Sequence, residues 1–171
     1  GISNMDYVRS EDIPNIELYM DQVTSFMDEQ LSSSKRYDDD KILTKTMINN
    51  YAKNNLLPPP VKKKYSKEHV VVMIFIYYFK TILSIKDIET ILTPITEKYF
   101  DTDSAVDVAS IYEEVCDTAK SQIQNLKDEV REAYETSQNT FKDMEGLSDS
   151  DREYLQLFSL ISSLSFDVYA K

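Results

Sequence analysis

Glycine is almost missing from this chain. Its 171 residues hold two, Gly1 and Gly146. Gly1, with no methionine before it, reads as a remnant of expression, which would leave Gly146 as the one native glycine. Tight hairpins, bulges and phosphate-cradling loops lean on glycine's access to positive φ, so sheet folds are disfavoured. A dinucleotide fingerprint or a phosphate-binding loop cannot be written with this composition, and no cofactor is expected. Cysteine occurs once, at Cys116. That excludes an intramolecular disulfide and a cysteine-based metal cluster within one chain, and Cys116 reads as a small buried apolar residue. No metal site is expected. There is no tryptophan and one histidine, His69, for which a structural or surface role is expected. No pair of groups presents itself as nucleophile and base, so the chain reads as a binder without catalytic residues.

The longest apolar run, Val70 to Phe79, has ten residues. A membrane span needs ~20. The first residues show neither a basic segment followed by an apolar run nor a cleavage site, so a cytoplasmic location is the expectation.

What is present is hydrophobic residue in quantity, 42%, enough for a packed core. Charge is unevenly spread. Residues 1–98 hold 13 Lys/Arg and 14 Asp/Glu, whereas 99–171 hold 6 and 16. Between residues 41 and 67 stand seven lysines and no acid. A net charge of −11 argues against nucleic acid, but a local basic window beside a separate acidic region is compatible with one face for phosphates and another for a different partner.

Along the chain, Ile16, Tyr19, Met20, Val23, Met27 and Leu31 recur at helical spacing. A polar loop, 32–40, follows; its Asp38 to Asp40 triplet lacks cation-loop spacing and reads as a solvated turn. Thr44 can cap a second helix whose apolar side is Met47, Ile48, Tyr51 and Leu56, stopped by Pro58 to Pro60. Ser66 can cap a third, reaching about Leu83. On propensity alone Val70 to Phe79 suggests a strand, but the missing glycine turns and a framed length of about 17 residues favour a helix. Ser84-Ile85-Lys86-Asp87 has the form of a capping box before a fourth helix with Pro94 near its end. A long amphipathic helix over roughly 104–141 carries Val108, Tyr112, Val115, Ala119, Ile123, Leu126, Val130, Ala133 and Tyr134 at near-heptad spacing. After Gly146, a last helix over about 149–169 is apolar nearly all round and demands cover on several sides.

The stretch richest in functional information is Thr44 to Ser66. Thr44, Lys45, Thr46, Asn49, Asn50 and Lys53 are the outward positions of a short helix, and such amide, hydroxyl and ammonium groups suit base edges and phosphates. The proline stop then presents Lys62, Lys63 and Lys64 in a short extended or turn segment, with Tyr65 completing the site and able to anchor it on the core. A recognition helix followed by a basic wing is the way winged helix-turn-helix proteins hold a groove and its flanking backbone.

Ile48-Asn49-Asn50-Tyr51, Leu56-Leu57-Pro58, Tyr65-Ser66, Ile74-Phe75-Ile76 and Leu83-Ser84-Ile85-Lys86-Asp87-Ile88 resemble, in order, the MerR-type winged-helix pattern. Over residues 13–95, including Leu18 to Gln22, Thr44 to Tyr51 and Lys62 to Ser66, the chain is similar to the bacterial family numbered 1836 among domains of unknown function. The MerR resemblance implies an all-α fold with a winged helix-turn-helix-like N-terminal module. Four positions depart from it: Asn49 stands for the common arginine, Lys62-Lys63 for the wing's Tyr-Arg pair, and Ile82 for the glycine before the capped helix.

The expected organisation is a flexible arm at 1–12, a winged helix-turn-helix-like module at 13–98, and an acidic region of long helix and helical hairpin at 99–171 for dimerisation or sensing. The expected function is DNA-binding transcription regulation by a homodimer paired through its C-terminal helices. Lys45, Lys53 and Lys62 to Lys64 would neutralise phosphates on double-stranded DNA, and Thr44, Thr46, Asn49 and Asn50 would touch bases. The rival expectation is a protein-interaction adaptor that keeps the helix-turn-helix shape without binding DNA, favoured by the acidic second half.

Overall fold

The computed structural model describes residues 7–35 and 41–170; the Asp38 to Asp40 triplet lies outside them. Among the described residues the chain is mostly helical, with one two-stranded sheet. The order is β1 (Leu18–Tyr19), α1 (Met20–Leu31), α2 (Lys45–Lys53), β2 (Lys64–Tyr65), α3 (Lys67–Phe79), α4 (Ile85–Tyr99), α5 (Val108–Gln138) and α6 (Asp149–Ala170). Two compact units divide inside α5, one of residues 7–117 and one of 118–170.

The first unit is built around α3. Val70 to Ile76 are all buried, so this helix presents no polar face and is wrapped on every side. The β-branched run is a helix despite its strand propensity because tertiary burial outweighs a preference of tenths of a kcal/mol per residue. Its start is held by reciprocal caps. The Ser66 hydroxyl accepts the His69 N–H, and His69 Nδ1 accepts the Ser66 N–H at 2.9 Å. A histidine thus does the work that glutamate or glutamine does in an ordinary capping box. The caps read at Thr44 and Ser84 also form, Thr44 Oγ1 accepting from Met47 N and Ser84 Oγ from Asp87 N. Around α3 pack Val23, Met27 and Leu31 of α1, Ile48 and Tyr51 of α2, and Ile88 and Leu92 of α4, all buried in one core.

Several sequence expectations shift. Residues 7–12, read as part of a flexible arm, are tied into the core: Val8 and Ile13 are buried and the Tyr112 hydroxyl donates to the Val8 carbonyl. A polar-looking segment is held because two well-spaced apolar side chains reach the core. The first helix starts at Met20, since Leu18 and Tyr19 are drawn into antiparallel pairing with Tyr65 and Lys64. The third helix ends at Phe79, not Leu83. The fourth runs through Pro94 to Tyr99, with Ile95 and Tyr99 packed against the core beyond the proline.

In the second unit, the C-terminal part of α5 and all of α6 are joined through residues 139–148. The Arg152 guanidinium donates to the carbonyls of Phe141, Lys142 and Met144. The Gln156 amide donates to those of Gln138 and Thr140. Together they satisfy the last carbonyl of α5, at Gln138, and four carbonyls of the connecting segment. No helix is long and apolar enough to cross a membrane among the described residues.

Candidate nucleic-acid interface

Because Ile48 and Tyr51 turn inward, helical periodicity sends Thr46, Asn49, Asn50 and Lys53 outward, and all four are exposed. Thr44 is half-buried and occupied as the cap of α2. Lys45 is exposed but forms an ion pair with Asp21 of α1. Such a pair at the surface is worth little to stability, yet it sets a carboxylate beside one of the cations expected to meet phosphate. Asp21 was not foreseen. An acid in the first turn of the preceding helix was the available signal, and only packing brings it to Lys45.

Beyond α2, Asn55 adopts a left-handed conformation (φ 59°), and the N–H groups of Leu56 and Leu57 both donate to the Tyr51 carbonyl. That ending usually takes glycine, and asparagine is the side chain that tolerates it next best. Leu56 and Leu57 plunge into the core. The Pro58–Pro60 segment is then tied down by His69, whose Nε2 donates to the Pro59 carbonyl at 3.1 Å. With Nδ1 accepting from Ser66, this is the neutral imidazole, held edge-on to Tyr65 and Phe100. Burial lowers its pKa below the ordinary value. His69 is therefore structural, and its duty is to fix the segment leading to the lysines.

Those lysines form a tight turn rather than an extended segment. Val61 and Lys64 exchange both backbone hydrogen bonds, at 3.0 and 2.9 Å. Lys62 and Lys63 between them have φ of 50° and 63°. Two residues with positive φ between bridged neighbours define the hairpin turn normally made by Asn-Gly. A chain nearly free of glycine makes it from two lysines. Both are exposed at its tip. Lys64 lies back with its ammonium 5.3 Å from the Tyr19 ring, the residue it pairs with across the sheet.

Tyr65 anchors the segment on the core, as its sequence position suggests, and is thereby taken out of the expected DNA-contacting set. Only 2% of it is exposed, burial raises the phenol's pKa, and its strand neighbour Leu18 is buried with it. Alternation along β2 explains this: Lys64 on the outer face forces Tyr65 inward. It is the anchor of the turn and has no free surface for DNA. Of the ten positions, Lys45, Thr46, Asn49, Asn50 and Lys53 lie exposed on the outer side of α2 and Lys62 and Lys63 at the tip of the turn, whereas Thr44, Lys64 and Tyr65 are turned back or buried. Helix α1 packs against both α2 and β2. Tyr19 and Val61, both exposed, flank the tip and were not anticipated, because two-residue strands leave no periodic trace. No group of acidic, histidine or cysteine side chains suited to a metal is found among the described residues.

The class is thus a mostly helical protein whose first unit mounts a small antiparallel sheet and a glycine-free basic turn on a buried central helix. The chain belongs to the family described as Domain of unknown function (DUF1836), whose model matches residues 8–115. That span ends two residues before the boundary of the first compact unit. No curated protein and no solved structure matches it.

Proposed function

We infer that the protein is a DNA-binding transcription regulator whose first unit works as a MerR-like winged helix-turn-helix module. In this reading α1 and α2 are the helix-turn-helix pair, α2 is the recognition helix, and the turn at Lys62–Lys63 is the wing, braced by β1. The observation that carries it is the turn itself. Two lysines occupy backbone conformations that cost non-glycine residues energy, and they do so at an exposed tip. Strain retained at a surface tip is a mark of function, and two fixed ammonium groups suit adjacent phosphates. Thr46, Asn49 and Asn50 then meet base edges, Lys53 the backbone, and Lys45 joins once it leaves Asp21. Lys64 supports the wing from the Tyr19 ring, and Tyr65 anchors it.

The test is titration of labelled genomic DNA fragments at low salt, followed by anisotropy. Wild type should bind, with log K falling against log salt by ~0.9 for each phosphate neutralised. A Lys62→Ala/Lys63→Ala/Lys64→Ala variant should bind more weakly and with a shallower slope. Equal binding by the two, or binding by neither, would sink the proposal.

The second reading, a protein-interaction adaptor with the same shape, draws support from the Asp21–Lys45 pair, which neutralises a cation on the proposed recognition helix. It predicts that neither protein binds DNA in that titration.

A further inference from the structure

The last helix is turned inside out. Where a helix packs on one neighbour, its apolar side is expected inward. In the second unit the side of α6 that meets α5 and the connecting loop is instead polar. Gln156 is buried there, Arg152 donates to loop carbonyls, and Ser159 and Ser163 line a cleft of about 430 Å³ with Thr136 and Ser137 of α5. The opposite side of α6 carries Tyr154, Leu157, Phe158 and Ile161, exposed by 67, 54, 60 and 57%. These spacings fall on one stripe of a 3.6-residue helix. Tyr134 of α5, 53% exposed, lines a smaller cleft with Leu157 and widens the stripe into a two-helix face.

We propose that this face pairs with the same face of a second copy of the chain, α6 against α6 in antiparallel orientation, to form a four-helix arrangement with the two α5 segments. Area is the first argument. With about 200 Å² for each whole large side chain, the five positions leave roughly 600 Å² of apolar surface per chain, at the upper end of what a monomer tolerates. A two-fold pairing covers both copies at once and removes about 1,200 Å², where stable interfaces begin.

Charge chooses the partner. The chain carries a net charge of −11, so two copies repel each other except across a neutral patch. Residues 154–166 are such a patch, without a single charged side chain. Charge also chooses the orientation. Asp149, Asp151 and Glu153 crowd the start of α6. A parallel pair would set the two triplets together, whereas an antiparallel pair places each opposite the uncharged stretch 162–166 of the other copy. The two-fold axis then passes beside Leu157 and Phe158, and Tyr154 meets Ile161 of the other chain.

The proposal rests on the second unit alone, and it is tested without DNA. Sedimentation velocity of the full chain at micromolar concentration should give the mass of two chains. Phe158→Glu and Phe158→Lys, each alone, should sediment as single chains with unchanged helical circular dichroism. Their dissociation constants should be weaker by at least about 100-fold. Mixed in equal amounts they should recover the two-chain mass, because residue 158 stands close to its own copy across the axis. Recovery on mixing cannot come from misfolded variants. A single-chain mass for the wild type overturns the proposal, as does a dimer untouched by Phe158→Glu or a mixture that stays monomeric.

Discussion

Replacing Lys62 and Lys63 by the residues their turn prefers should make the protein more stable and its DNA binding weaker. The variant is Lys62→Asn/Lys63→Gly. Both positions have positive φ, where a side chain's Cβ crowds the following carbonyl at a cost of roughly 1–2 kcal/mol per residue. Asparagine carries less of that cost and glycine none, but glycine returns about 0.5–1 kcal/mol to the unfolded chain as entropy. The net gain is about 1–2 kcal/mol. For a cooperative unit of this size that raises Tm by roughly 4–8 °C, readable by circular dichroism. The same change removes two cations, so the slope of log K against log salt should become shallower by up to ~1.8. An ordinary surface substitution stays within about 0.5 kcal/mol, so the combined signature is diagnostic. An unchanged or lowered Tm would refute the strained turn, and an unaltered salt slope would refute its contact with phosphate.

Asp21→Asn should release Lys45 and tighten DNA binding, steepening the salt slope by up to ~0.9; weaker binding in the anisotropy titration would show that the pair positions Lys45 productively. Tyr65→Ala should destabilise the first unit by about 3–5 kcal/mol, the cost of truncating a large buried side chain, in urea unfolding; a loss below ~1 kcal/mol would contradict its role as anchor. Tyr112→Phe removes the buried hydrogen bond to Val8 and should cost about 1–3 kcal/mol, detected by the same unfolding curves. His69 has a folded pKa below its unfolded value. The unfolded chain therefore takes up the proton first, and the stability this group contributes is present above about pH 6.5 and lost as pH falls through the folded pKa. His69→Gln, which can keep the reciprocal cap, should flatten stability against pH in that window. Glu68, raised by burial, acts in the opposite sense at pH values above its unfolded pKa, so the comparison is made between wild type and the single variant. An identical pH profile would exclude His69 as the source.

Much of the helical framework was legible because its signals are local. Thr44, Ser66 and Ser84 are each followed by a residue whose N–H they can accept, and all three begin helices. Ile48 and Tyr51 face inward as their spacing dictates, which leaves Asn49 and Asn50 outside. The two-residue strands were not legible. Tyr19 lies on the helical rhythm of α1, and it and Leu18 become extended only because Lys64 and Tyr65, distant in the chain, offer hydrogen bonds. The turn at Lys62–Lys63 was read as extended or turn because nothing in a run of lysines signals positive φ. Scarcity of glycine was taken to discourage hairpins, whereas here it shifts the cost of one onto lysine. Tyr65 was legible as an anchor, whereas the pairing of Lys45 with Asp21 was not, because it follows from how α1 lies on α2.

What the chain decided by itself was composition-wide and local: few glycines, one cysteine and many periodic apolar positions commit it to capped helices. Contacts between residues far apart in sequence decided the rest. They drew Val8 and Ile13 into the core and surrounded the helix that carries Val70 to Ile76. They also chose which side of α6 faces α5. A helix apolar nearly all round has no intrinsic inside, so its packing surface is set by the carbonyls that Arg152 and Gln156 find at the last residue of α5 and in the segment after it.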